Sequence, residues 1–160
     1  MTTITLERRT FTEEIEVRSE GKDLVAYGYA YRFNVLSQNL GGFVERIAPG
    51  SGKKSIADDD IRGLFNHDPN MVLGRNRAGT LSMEEDQTGG AYEIRMPDTP
   101  TAREVATNLE LGNISGSSFG FRTISDEWGE TEQAFPLRTL TAFSIRDVGP
   151  VTFPAYTDAD

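Results

Sequence analysis

Few side chains in this sequence are equipped to make or break covalent bonds. The chain of 160 residues has a single histidine, His67, and no cysteine. Without a thiol, cysteine-protease, thiol-redox and Cys-zinc chemistry drop out together. With one imidazole, a di-histidine zinc motif drops out as well. An imidazole with an ordinary pKa of about 6.5 is the natural general base at neutral pH. His67 stands in Leu64-Phe65-Asn66-His67-Asp68, where a polar triplet closes an apolar run. Asn, Asp and the following Pro69 also form turns, so a plain surface turn is the alternative.

The second candidate lies in Gly116-Ser117-Ser118-Phe119-Gly120-Phe121. Side chains alternate faces along a strand. Phe119 and Phe121 therefore share a face with Ser117, and two large aromatics mark it as the core side. Ser118 falls on the other face between Gly116 and Gly120. That face is stripped of neighbouring side chains and leaves room for a peptide backbone to approach a hydroxyl. The alternative is a strand whose glycines admit a crossing strand and whose serine bonds locally. The third candidate, Asp147 in Ile145-Arg146-Asp147-Val148, is a carboxylate in an apolar setting and needs a partner. It could orient an imidazole as the third member of a triad; a salt bridge to Arg146 or another arginine, or simple exposure, would also account for it. The chain has no GxSxG elbow, which disfavours an α/β-hydrolase.

Strands must position these residues. Segments 4–11, 14–20 and 24–33 carry β-branched and aromatic residues with partial alternation. Gly21-Lys22-Asp23 suits a hairpin turn between the last two. Residues 34–42 are polar and Gly-rich, hence a loop, with a short strand over 43–47. Residues 51–60 suit a short helix or loop, and 61–67 a strand. A hairpin follows, with arms 80–84 and 91–96. The helix is 101–111: Thr101 and Glu104 have capping-box spacing, with Asp98 and Thr99 as alternative caps. Its apolar stripe is Ala102, Val105, Ala106 and Leu109, and Gly112 sits at the C′ position. Segments 114–124, 134–148 and 151–156 return to strand character. Runs of strands with one or two helices give a mostly β barrel or α+β domain. The length suits one domain, 1–160.

Lys and Arg number 16 against 25 Asp and Glu, for a net charge of −9. This balance argues against nucleic acid and against an anionic membrane. The opening residues have no apolar core of a signal peptide, and no apolar run approaches the ~18 residues of a membrane span. Asp58-Asp59-Asp60 and Glu84-Glu85-Asp86 read as solvated faces; they lack the spacing of a calcium loop. No metal and no cofactor is expected. Phe33, Phe43, Tyr27, Tyr29 and Trp128 read as core or rim residues.

The blocks FNHDPNMVLGR (65–75), GTLSMEED (79–86), LGNISGSSFGFR (111–122) and RDVGPVTFPAY (146–156) resemble, in order and spacing, the tailed-phage prohead maturation proteases of the HK97 type. GYAYRFN (28–34) and FVERIAPGS (43–51) fit the same pattern, so the resemblance covers about residues 24–156. It implies a fold like that of the herpesvirus assembly proteases, a closed or partly open β-barrel flanked by one or a few helices. It also implies a serine endopeptidase packaged in the procapsid, which assembles in the bacterial host cytoplasm. The expected substrates are the scaffold protein or the scaffolding segment of the major capsid protein, and self-cleavage is expected too. A homo-oligomer is compatible with it. Residue by residue, the family's catalytic His falls on His67. Its Ser falls on Ser118 rather than Ser117, because the pattern is Gly, a variable residue, then Ser-Phe. Its acidic third residue, usually Glu before Val-Ser, falls on Asp147. Asp in place of Glu shortens the reach by one methylene, and Gly149 stands where Ser is common. Herpesvirus relatives use a second histidine as third member, which this chain lacks. The oxyanion donors are expected among backbone N–H groups near Arg122 or in the loop after the nucleophile strand. The chain stops four residues after Tyr156, where many members run further.

Two rival readings remain beside this one. A catalytically silent capsid-assembly or scaffold protein would retain the fold; its signature would be a missing His or Ser, and both are present. A hydrolase using one histidine and carboxylates around a metal would lose activity with EDTA.

Overall fold

The computed structural model describes residues 5–153. Alternation along the strands builds two sheets. The first holds β1 (Glu7–Thr12), β4 (Val44–Ile47), β5 (Arg62–Leu64), β6 (Val72–Arg75), β9 (Gly116–Glu130) and β10 (Pro136–Val151). Its order is β1-β9-β10-β5-β6, with β4 also pairing with β10. The second holds β2 (Glu16–Glu20), β3 (Asp23–Arg32), β7 (Leu81–Glu85) and β8 (Gly89–Met96), in the order β2-β3-β8-β7. The sheets are partly open and do not close into one barrel, in keeping with the mostly β expectation. Two helices flank them, α1 (Lys53–Asp58) and α2 (Pro100–Leu111). Among the described residues no helix is long and apolar enough to cross a membrane.

The core lies between the sheets. Phe119 and Phe121 stack with ring centroids 4.5 Å apart. Tyr31 of β3 packs on Phe119 at 4.9 Å and edge-on against Phe143 of β10 at 5.1 Å. Close approach demands small residues opposite these rings. A Cβ on Gly90 would stand 2.3 Å from the Tyr31 ring, so only glycine lets β8 pass there.

Sequence expectations and structure diverge at instructive points. The α2 cap is Thr99, whose side chain accepts from the Ala102 N–H at 3.2 Å, not Thr101. Pro100 has no N–H and a helix-compatible φ, so it takes the first turn and the cap falls two residues earlier than Thr101. The expected stripe of Ala102, Val105, Ala106 and Leu109 is buried, and Gly112 closes the helix with φ 81°. The strand expected over 61–67 stops at Leu64, because Asn66 and His67 adopt left-handed backbone at φ 54° and 57°. β6 has no counterpart in the sequence reading. Of the 151–156 segment, Val151 ends β10 and 154–156 lie outside the described residues.

The acidic runs are solvated only in part: Asp58, Glu84 and Asp86 are exposed, while Asp59, Asp60 and Glu85 are half-buried. Asp59 accepts from Ser55 and Ser144 hydroxyls, and Asp60 takes a two-pronged bond from Arg75. Arg75 holds the Asp60 carboxyl well below the usual range. Glu85 accepts from the Tyr31 hydroxyl and from the Gly50 and Gly52 amides, while Asp86 accepts from the Thr88 and Gly89 amides of its turn. Charge runs at strand ends meet backbone donors that periodicity cannot reveal.

Candidate active site

Three segments distant in sequence meet at the end of β5. The His67 backbone sits in the left-handed region, which costs a non-glycine residue about 1–2 kcal/mol. The neighbouring Asn66 holds it there. The Asn66 N–H donates to Pro150 O at 3.0 Å, and its side chain exchanges hydrogen bonds with Thr152. Asn66-His67-Asp68 is thus a turn, as its composition allows, and it also presents the imidazole.

Asp147 reaches the same place through a β-bulge. Phe143 and Ile145 face the core, and strict alternation would send Asp147 there too. The register shifts between Ile145 and Asp147, leaving Arg146 unpaired and exposed. The extra residue flips the parity, so Val148 faces the core and Asp147 the opposite side. Asp147 is 2% exposed and its partner is His67, not Arg146.

The geometry is continuous. Asp147 Oδ2 lies 2.5 Å from His67 Nδ1, and His67 Nε2 lies 2.6 Å from Ser118 Oγ. Phe119 and Phe121 face the core as alternation required, and Ser117 lies buried on their side, bonded to Tyr29 O and the Tyr92 hydroxyl. Ser118 faces the other way, toward His67.

The glycines have a different use from the one expected. A Cβ on Gly120 would stand 2.4 Å from Asp147 Oδ1 and 3.7 Å from His67 Nδ1. The space beside Ser118 admits the Asp147 carboxylate, not a substrate backbone. A Cβ on Gly149 would stand 2.1 Å from Leu64 O, so glycine lets β10 pass the end of β5 that leads into His67. Gly149 is therefore required by this packing.

The oxyanion expectation does not fit the layout. Arg122 is four residues along the same strand, so its backbone lies about 13 Å from that of Ser118. The loop 131–135 is farther still, at the tip of the β9–β10 hairpin. Neither can hold an oxyanion formed at Ser118.

β1 was read as a strand but not as part of the site. It pairs antiparallel with β9, with Thr10 opposite Ser118. Ser118 Oγ donates to Arg9 O at 2.8 Å and accepts from Thr10 Oγ1 at 3.1 Å. With β1 in place Ser118 is fully buried. A nearly buried ion cluster fixes β1: Arg9 clamps Glu45, which is 3% exposed, while Arg138 pairs with Glu7, Glu45 and Asp126. Burial pushes the Glu7 carboxyl up, but bonds from Arg138 and Thr123 outweigh it and hold Glu7 below the usual range. No sequence pattern pointed to this cluster, because its members are scattered along the chain. Among the described residues no group of His, Asp and Glu could hold a metal ion.

A serine, an imidazole and a buried carboxylate in mutual reach on a two-sheet β scaffold define the class of serine proteases. The family model of the caudovirus prohead serine proteases matches residues 13–160, and the chain belongs to that family. The fold is similar to that of the bacteriophage T4 capsid assembly protease, gp21: the TM-score is 0.61 at 13% identity, covering 94% of this chain and 99% of that one. No curated protein matches the sequence.

Proposed function

We propose that this chain is the endopeptidase of phage head maturation. Its substrates are the scaffold protein or the scaffolding segment of the major capsid protein, met inside the procapsid during assembly in the bacterial host. The chain also cleaves itself. The observation that carries the reading is the unbroken line of hydrogen bonds from Asp147 through His67 to Ser118.

In this mechanism the neutral His67 takes the proton from Ser118 Oγ at Nε2 as Oγ attacks the scissile carbonyl. Asp147 holds the Nδ1–H tautomer and stabilises the imidazolium that forms. His67 then protonates the leaving amine, leaving an acyl-Ser118. Water attacks the acyl group, gives its proton to Nε2, and frees the acid product as the proton returns to Oγ. Burial of the His67–Asp147 pair strengthens their interaction by excluding water. The silent-scaffold reading predicts a gap in the line Asp147–His67–Ser118, and that line is complete.

Co-expression with the cognate capsid protein tests this, with intact-mass spectrometry of both chains beside a Ser118→Ala twin. Trimming by the parent and none by the twin is the expected result. Equal trimming by both, or none by either, overturns the assignment.

A further inference from the structure

We propose that β1 is a built-in occluding strand: residues 7–12 lie where an extended substrate would lie along β9, and the enzyme works only when they leave. This rests on Ser118 as nucleophile. Three observations carry it.

First, β1 offers a competing acceptor to the proton that catalysis must move. A serine hydroxyl has one proton and two lone pairs. Ser118 Oγ has three polar neighbours: Arg9 O at 2.8 Å, Thr10 Oγ1 at 3.1 Å and His67 Nε2 at 2.6 Å. A carbonyl can only accept, so Arg9 O competes with His67 Nε2 for the one Ser118 proton. Attack needs that proton on the imidazole side, with Oγ–H donating to a bare Nε2. The Arg9 carbonyl also meets the nucleophile through its oxygen, not its carbon, so β1 is held without being cut at that bond.

Second, β1 is the outermost strand of its sheet and lies outside the span that matches the family, which begins at residue 13. Its removal leaves the family's part of the sheet whole and exposes the edge of β9 beside Ser118. An exposed sheet edge takes up an extended peptide by main-chain pairing.

Third, β1 is latched in a way that can reverse. Arg9 binds Glu45 through Nε at 2.7 Å, Glu7 binds Arg138 at 2.8 Å, and Phe11 stacks on Phe119 at 6.4 Å. When Arg9 and Glu7 leave, Glu45 keeps Arg138 at 3.3 Å and Arg138 keeps Asp126 at 2.7 Å. The buried Glu45 charge is never left alone, so release avoids the large cost of an unpaired charge.

The test measures labelling of Ser118 by a small fluorophosphonate in the full chain and its Arg9→Glu variant, which sets a carboxylate against Glu45. Amide hydrogen exchange over residues 7–12 reports release of the strand. Arg9→Glu is expected to raise exchange there and to label at least tenfold faster. A synthetic peptide of residues 5–12 slows it again, and a scrambled peptide does not. If Arg9→Glu misfolds, a site-specific protease site inserted after Thr12, cut once the full chain has folded, releases β1 instead. Faster exchange with unchanged or slower labelling overturns the proposal, because β1 then supports the site rather than covering it. A Ser118→Ala chain distinguishes the premise: if it labels like the parent, or if no form labels at all, the nucleophile assignment itself fails.

Discussion

Gly120→Ala places a single methyl group against the His67–Asp147 pair. The added Cβ would stand 2.4 Å from Asp147 Oδ1, whereas ordinary contact begins at 3.4 Å, so something must move by about 1 Å. The backbone has little freedom to give, because Gly120 and Asp147 are direct partners in the β9–β10 ladder. The carboxylate is the softer element. Shifting it by about 1 Å stretches the 2.5 Å bond to His67 Nδ1 to about 3.5 Å, beyond hydrogen-bond range. The imidazole then loses its tautomer control. Misplacement by about 1 Å costs about 10²-fold in rate, and loss of the orienting acid about 10⁴-fold. The expected fall in kcat lies between those limits, or about 3–5 kcal/mol of transition-state stabilisation. Overpacking lowers stability by only about 1–3 kcal/mol. The assay is Ser118 labelling and peptide cleavage, run in the parent and Arg9→Glu backgrounds, with folding checked by circular dichroism. Asp147→Ala combined with Gly120→Ala should be less than about threefold worse than Asp147→Ala alone, because both changes break the same contact. A folded Gly120→Ala enzyme within threefold of the parent would refute the reasoning, as would fully multiplicative losses in the double variant.

Ser118→Ala and His67→Ala are each expected to abolish cleavage, by about 10⁶-fold in kcat, while Asp147→Asn leaves measurable turnover; single-turnover kinetics on a capsid-derived peptide checks the ranking. Phe143→Ala opens a cavity among Tyr31, Phe119 and Phe121 and should cost about 3–5 kcal/mol, read as a lower urea midpoint with unchanged m. Glu7 has a folded pKa below the ordinary 4.5, so its contribution is fully present above 4.5 and is lost as pH falls through the folded value. Hydrogen exchange over β1 should therefore accelerate below pH 4.5 in the parent, and Glu7→Gln should show fast exchange already at pH 6 with little further change.

The sequence by itself determined the local elements and the chemical inventory. A single histidine and no cysteine restricted the chemistry, the two phenylalanines of 119 and 121 told which way Ser118 points, and the apolar spacing of 102–109 with Gly112 defined α2. These are short-range properties, set by side-chain periodicity and backbone preference within a few residues. What only the tertiary structure decided is non-local. Alternation through 143, 145 and 147 would put Asp147 in the core; the bulge at Arg146 reverses it, and that irregularity exists only in the pairing with β9. Gly120 looked like room for a substrate, but the space belongs to a carboxylate 27 residues away in the chain. Asp59 and Glu85 looked solvated until backbone and hydroxyl donors from other elements met them. The same holds for β1, whose strand character was legible while its place over Ser118 was not. Strand propensity is encoded residue by residue, whereas the partner of a strand is chosen by the whole sheet.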